Sequence, residues 1–360
     1  MADKVVVTGL AAHSAFGRGS SALLARAFTG EPAFGDVTRF DAAARRTTVA
    51  ATMPGTPVLA DELVSVIEDA SRVAGLAGAP DCPLLLAGHA DRANIATAAE
   101  VARRVGLAVP ARTYTAACVA ATTAVADAAA MIATGRQDRV VVAAGFIVAE
   151  DIFALFDAGR ALARDGRVRP FSAGRQGMVL GDAFAAVVLE SATSAALRGA
   201  DVLVTLAGWG RSGDAYHVCQ PRPDGTGLAR AITAALTKAE VEADEVGYVN
   251  ANGTGTLFND SAEAAALHIA LGDAVGRIPV SSTKSVHGHA LEASGLLELV
   301  CTVLALRSGR LPVNAGFLGV DDDCLLDLIV DEPRATDARY ALSVNAAFGG
   351  ANTALLVGAP

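Results

Sequence analysis

Charge and aromatic side chains are scarce in this 360-residue chain: Asp, Glu, Lys and Arg fill 19% of positions, and Phe, Trp and Tyr 5%. The basic residues form no cluster and the formal net charge is −9. That balance excludes nucleic acid as an expected partner, because phosphate binding needs a basic face. No apolar run reaches the roughly 20 residues a membrane-spanning helix needs, so no membrane partner is expected. The opening MADKVVVTGL lacks a charged stretch followed by an apolar one, so no secretory leader is expected and the expected location is cytoplasmic. The cysteines (Cys82, Cys118, Cys219, Cys301 and Cys324) are odd in number, scattered and without CxxC spacing. They fit reduced thiols and exclude a disulfide framework or a zinc site, and no metal is expected. The Gly/Thr-rich segments carry no Gly-Lys-Ser/Thr ending, which excludes a P-loop.

What the chain does have is apolar mass, 52% of its residues, enough for a large core. Its periodicity alternates. Strands are expected at 4–9, 83–87, 139–145 and 185–190, with helices at 20–28, 61–75, 94–105 and through 120–135. The helix at 61–75 is expected to be amphipathic with an acidic outer face. The alternation then restarts, with strands at 202–208, 246–250, 278–281, 341–345 and 353–358 and helices at 225–239, 262–271 and 296–309. Alternating strands and helices indicate α/β layers. AAAMIATGR at 128–136 resembles TVLALRSGR at 302–310, and LGDAFAAVVL at 180–189 resembles FGGANTALLV at 348–357. The two pairs lie at nearly one offset, as a duplicated unit would require. A division into halves at 1–195 and 196–360 is expected.

The chemistry gathers around TYTAACVAATTAVADAAAMIATGR at 113–136, where an extended approach meets an Ala-rich helix. Cys118 stands at that junction. The unpaired N–H groups and dipole of a helix start favour thiolate, the nucleophilic form. A small buried core residue is the competing reading. Three further stretches are too polar for plain core: VNANGTGTLFND at 249–260, STKSVHGHALEASG at 282–295 and SVNAAFGGAN at 343–352.

TAACVAA resembles the active-site cysteine motif of elongating β-ketoacyl-ACP synthases, the ketosynthases of fatty acid and polyketide synthesis. NANGTGTLFND resembles their His-Gly-Thr-Gly-Thr loop, TKSVHGHALEASG their Lys-Ser-x-x-Gly-His segment, and NAAFGGAN their Gly-Phe-Gly-Gly turn. VVVTGL, RPFSAGRQGMVLGD and GDAYHVCQPRPDGTG also match in order, so the resemblance spans nearly the whole chain. It implies a thiolase-like fold, a duplicated five-layer α/β/α/β/α core. It implies no permanently bound cofactor, since the substrate arrives on the phosphopantetheine of an acyl carrier protein. It also implies a homodimer, or a heterodimer with a ketosynthase-like subunit.

By the same resemblance, Cys118 is the acyl-accepting nucleophile, and its N–H and that of Phe348 form the oxyanion hole. His289 is the histidine beside the sulfur. Thr254, Thr256 and Gly349 lie on the substrate-binding side, and Phe348 gates the acyl pocket. Lys284 and Glu263 form a buried supporting ion pair, and His287 is a packed histidine.

The chain also departs from the pattern. Asn252 replaces the first family histidine. An amide donates a hydrogen bond but takes no proton near neutral pH. Acyl transfer is therefore expected to survive better than decarboxylative condensation. The segment at 84–115 is short for an elongating member. The helix at 61–75 is acidic where a basic run normally meets the acidic carrier protein, which leaves Arg169 and Arg211 as docking candidates. The competing functions are a synthase that still condenses with a Cys-Asn-His site, a chain-length-factor-like partner subunit, and a thioester hydrolase.

Overall fold

The computed structural model describes residues 3–76, 79–89 and 92–360. Ten strands make the frame: β1 (Val5–Ser14), β2 (Ala79–Ala87), β3 (Leu107–Tyr114), β4 (Arg139–Phe146), β5 (Ala183–Ser191), β6 (Val204–Gly213), β7 (Val246–Asn250), β8 (Pro279–Ser281), β9 (Tyr340–Ala346) and β10 (Ala351–Gly358). Seven helices matter for the site: α1 (Leu59–Val73), α2 (Arg92–Arg104), α3 (Ala120–Ala133), α4 (Glu150–Ala158), α5 (Thr226–Ala239), α6 (Leu257–Leu271) and α7 (Ser294–Ser308).

Outward from β1, the strands run β1–β5–β4–β2–β3; outward from β6, they run β6–β10–β9–β7–β8. Each half thus uses its first, fifth, fourth, second and third strand in turn. The directions repeat as well. β1–β5 and β5–β4 are antiparallel and β4–β2 and β2–β3 parallel, as are β6–β10, β10–β9, β9–β7 and β7–β8 respectively. The halves join where Val6 and Val7 pair with Thr205 and Val204. This is the topology a duplicated α/β unit produces.

Three apolar clusters correspond to three helix layers. The central one takes side chains from α3, α7 and the inner faces of both half-sheets. α7 suits that place because it is buried along most of its length and largely apolar: Leu296, Leu297, Leu299, Val300 and Val303 are all fully buried. Each leucine of that size removed from water contributes about 1.5–3 kcal/mol. The small residues of α3 (Ala120, Ala121, Ala124, Ala128) let it pack closely in the same layer. α1 and α2 cover the outer face of one half, and α5 and α6 that of the other. Among the described residues no helix is long and apolar enough to cross a membrane.

α1 corrects one expectation. Its acidic residues do not form a purely outer face, because Glu62 is buried and Asp69 half-buried. Both sit beside the inward stripe of Leu63, Val66, Ile67 and Ala70, and β1 supplies their partner. His13 Nδ1 lies 3.2 Å from Glu62, and its Nε2 3.1 Å from Asp69. Helix α4 lies outside the expected elements. Its apolar residues, Ile152 to Phe156 and Ala158, run almost consecutively in a nine-residue helix and make no clear periodic stripe.

The segment leading into β5 is threaded against the start of the α7 layer. The Gly181 N–H donates to the His289 carbonyl at 3.0 Å, and the His289 N–H donates to Val179 O at 2.7 Å. A Cβ on Gly181 would stand 2.1 Å from the His287 carbonyl oxygen, closer than any atom pair tolerates. Gly181→Ala is therefore expected to destabilise the fold by about 1–3 kcal/mol through overpacking, read as a lowered Tm in thermal unfolding. An unchanged Tm would show that the two segments are not so closely joined.

Candidate active site

Cys118 reaches the site through a strained turn. After β3 the chain passes Ala117 with φ of +47°, a left-handed value for a residue that carries a Cβ. Residues Ala117–Val119 form one tight helical turn, and α3 follows at Ala120. Such strain is held only where the surroundings over-determine it, and here it turns the thiol toward a cavity. The helix start does not decide the thiol's protonation. Burial pushes the Cys118 thiol up to about 12, Glu292 adds to the rise and Lys284 opposes it. Burial therefore acts on the thiol in the opposite sense to the thiolate preference expected of a helix start.

His289 comes from the other half. It follows β8 and a short helical turn, Lys284–His287, and precedes α7. Its Nε2 lies 3.1 Å from Cys118 Sγ, and its Nδ1 lies 2.7 Å from Ser294 Oγ. Ser294 Oγ already accepts the Ala290 N–H at 2.8 Å. With the hydroxyl proton donated to Nδ1, Nε2 carries the ring proton and faces sulfur. Burial, Lys284 and His287 together hold the His289 pKa well below the ordinary value, so the ring is neutral. His289 is thus a neutral donor beside the nucleophile.

Asn252 sits in the loop after β7. Its backbone N–H and that of Gly253 donate to the two Glu263 oxygens at 2.7 and 2.8 Å. Its Oδ1 accepts from Lys284 Nζ at 3.1 Å, and its Nδ2 donates to Asn259 Oδ1 at 2.9 Å. The Lys284 ion pair is with Glu298 at 2.5 Å, not with Glu263, which corrects the expected pairing. Glu298 lies on α7, one layer inward, while Glu263 is taken up by the loop N–H groups. Burial pushes the Glu263 carboxyl up to about 8 against those N–H groups, and nearby Asp260 adds to the rise.

Cys118, His289, Asn252, Thr254, Thr256 and Phe348 line one cavity of about 300 Å³. Thr254 and Thr256 hydrogen-bond each other through their hydroxyls at 2.9 Å. Phe348 is 45% exposed and stacks on Phe156, with ring centroids 5.9 Å apart. In the β9–β10 turn the N–H groups of Ala347, Gly349 and Gly350 all have acceptors. Among the described residues the Phe348 N–H has none in that turn. Gly349 stands outside the cavity wall, and its φ of +87° shapes the turn that presents Phe348.

The sequence model of the β-ketoacyl synthase N-terminal domain matches residues 86–195, and that of the C-terminal domain matches residues 203–318. The chain belongs to the β-ketoacyl synthase family. Nodulation protein E of Rhizobium meliloti is 40% identical over 263 residues, covering 72% of this chain and 64% of that protein. The 3-oxoacyl-[acyl-carrier-protein] synthase 2 of Staphylococcus aureus is 34% identical over 245 residues, covering 67% of this chain and 61% of that protein. The matched region thus spans less than two thirds of these relatives' length. Among solved structures, the ishigamide ketosynthase/chain length factor superposes with a TM-score of 0.92 at 28% identity, covering 100% of both chains.

The chain carries further site residues that sequence pattern does not reveal. Ser294 sets the His289 tautomer, Glu298 pairs Lys284, Asn259 holds Asn252, and Phe156 backs Phe348. Asn259 is visible as a second amide in NGTGTLFND, but nothing in a sequence gives its direction. Arg160 lines the cavity and is exposed, with no ion-pair partner among the described residues. The two docking candidates are both engaged elsewhere: Arg169 pairs with Asp165 at 2.7 Å and Arg211 with Asp127 at 2.8 Å. His287 is packed, its ring nitrogens 2.7 Å from Gly288 O and 2.9 Å from Thr283 Oγ1.

A thiol near 12 ionises little at neutral pH, so Cys118 alkylation by iodoacetamide is expected to rise about tenfold per pH unit from pH 6 to 9. Mass mapping of the modified peptide measures this. A plateau below pH 8 would mean that bound groups, and not burial, govern the thiol.

Proposed function

We propose that the chain is a ketosynthase-like acyltransferase of fatty acid or polyketide synthesis. It takes an acyl group from a carrier-protein phosphopantetheine thioester onto Cys118. The observation that carries this reading is the 3.1 Å contact of Cys118 Sγ with His289 Nε2, on the wall of a cavity that Arg160 also lines. In the exchange, the Cys118 sulfur bonds the acyl carbon and the pantetheine C–S bond breaks. The cysteine proton ends on the departing thiol, and one thioester replaces another. The transient oxyanion faces the N–H groups of Cys118 and Phe348. Thr254 and Thr256 offer hydroxyls to the amides of the pantetheine arm.

Asn252 governs the fate of the loaded acyl group. An amide donates to an enolate oxygen but takes no proton, and losing a base commonly costs about a hundredfold to ten-thousandfold. Acyl transfer therefore outlives condensation, which continues at a reduced rate. A chain-length-factor role is disfavoured by the intact Cys118–His289 pair. The proposed partners are an acyl carrier protein and a second subunit, either a copy of this chain or a ketosynthase-like one. The named ketosynthase/chain length factor of similar fold motivates the latter. Arg160, a cavity-lining cation without an ion-pair partner among the described residues, is the proposed contact for an acidic carrier protein, in place of the engaged Arg169 and Arg211.

Intact-mass measurement after incubation with acyl-carrier protein is expected to show one acyl adduct on Cys118, absent in Cys118→Ala. No adduct on the wild type sinks the acyl-transfer reading. Asn252→His is expected to raise malonyl-thioester decarboxylation about tenfold or more. If the wild type condenses efficiently and this substitution changes nothing, the role given to Asn252 is wrong. Arg160→Glu is expected to raise KM for the carrier-bound substrate about tenfold at low salt, with the difference shrinking as salt rises. An unchanged KM would place docking elsewhere.

A further inference from the structure

We infer that Asn259 is a positioning residue that sets which end of the Asn252 amide faces the cavity. The inference deepens the proposed function and rests on it for the choice of a malonyl thioester as probe. Asn252 is 1% exposed and lines the cavity with Cys118 and His289. Its amide has one accepting and one donating end. Lys284 Nζ, which only donates, lies 3.1 Å from Oδ1. Asn259 Oδ1, which only accepts, lies 2.9 Å from Nδ2. Flipping the amide would set N–H against ammonium and oxygen against oxygen.

Asn259 is itself oriented. Its Nδ2 donates to Asp260 Oδ1 at 3.0 Å and to Glu263 Oε2 at 3.2 Å. Both partners are carboxyl oxygens, and Glu263 Oε2 accepts the Gly253 N–H as well, so Oδ1 is the end left for Asn252. The order therefore passes from the Asp260 and Glu263 carboxyls through Asn259 to Asn252, and ends at Lys284 and Glu298. One Asn252 N–H is spent on Asn259, and the other remains for the cavity. With the His289 Nε2–H, the wall beside the sulfur then carries two donors. Two donors suit an oxygen that gains negative charge, as in a malonyl thioester losing CO₂. The Cα–carboxyl bond breaks and CO₂ leaves. The electron pair forms the enolate, whose charge lies on the thioester oxygen, and a solvent proton on Cα completes an acetyl thioester.

The test is a double-mutant cycle on CO₂ release from malonyl-N-acetylcysteamine thioester, using the full chain. Asn252→Ala and Asn259→Ala are each expected to lower kcat about tenfold to a hundredfold with KM within about twofold, as loss of an oriented donor requires. The double variant is expected to fall no lower than the weaker single one. Asn259→Asp, taken up protonated between Asp260 and Glu263, keeps both an accepting and a donating end. It is expected to retain more activity than Asn259→Ala and to lose it as pH rises. Multiplicative losses in the cycle, Asn259→Ala equal to wild type, or wild-type release no faster than Asn252→Ala would each overturn the inference. A crystal structure of Asn259→Ala with residue 252 still on Lys284 would do so too, and it serves if the kinetics are compromised by misfolding. The Cys118 adduct, measured on the same wild-type preparation, separates failure of the acyl-transfer reading from failure of this one.

Discussion

Lys284 and Glu298 meet at 2.5 Å with almost no exposure, and four segments of the site converge on them. Lys284 begins the turn that carries His289, and it also donates to the Asn252 side chain. Glu298 comes from the buried helix α7 and accepts from Asn345 of β9 at 2.5 Å. Neither charge has water to fall back on. Removing one partner of such a pair typically costs about 3–5 kcal/mol, because the other is left buried and unpaired. The pair is weak evidence for stability in itself. Its consequence is geometric: the histidine turn, the asparagine loop and the last strands are registered to one another through it.

Electrostatics around that pair also define the chemistry. The same Lys284 that steadies Asn252 helps keep His289 and His287 neutral, and it opposes the rise of the Cys118 thiol. A neutral His289 with its Nδ1 turned to Ser294 donates toward the sulfur. Asn252, held by Lys284 and Asn259, donates as well. Among the described residues, the side chains beside the sulfur are richer in donors than in free bases. That arrangement favours stabilising negative oxygen over moving protons, in keeping with the proposed acyl transfer.

Much of the frame was legible in the sequence. β4, β7, β8, β9 and β10 appear within a few residues of their apolar runs, because a strand buried on both faces writes itself as continuous Val, Leu and Ala. The repeated pairs at 128–136 with 302–310 and 180–189 with 348–357 fall on matching helices and strands of the two halves. α4 was not legible, for want of a long stripe. The acidic character of α1 is plain in its composition but does not translate into full exposure, since His13 of β1, with Arg18 on Glu62 and Arg72 on Asp69, holds two carboxylates against the fold.

Local pattern marked Cys118 at a helix start and three polar or Gly-rich stretches, and the resemblance to ketosynthase motifs singled out His289, Asn252, Thr254, Thr256 and Phe348 within them. Which of them meet was decided by the tertiary structure, as were the pairing of Lys284 with Glu298 instead of Glu263, the rise of the Cys118 thiol, and the link from Asn259 to Asn252. The physical reason is the same in each case. Sequence pattern records which side chains prefer to be buried and where the backbone must turn. The direction of an amide, the partner of a buried charge and the desolvation of a thiol depend on atoms that arrive from distant segments, and they take a value only once the two halves close on each other.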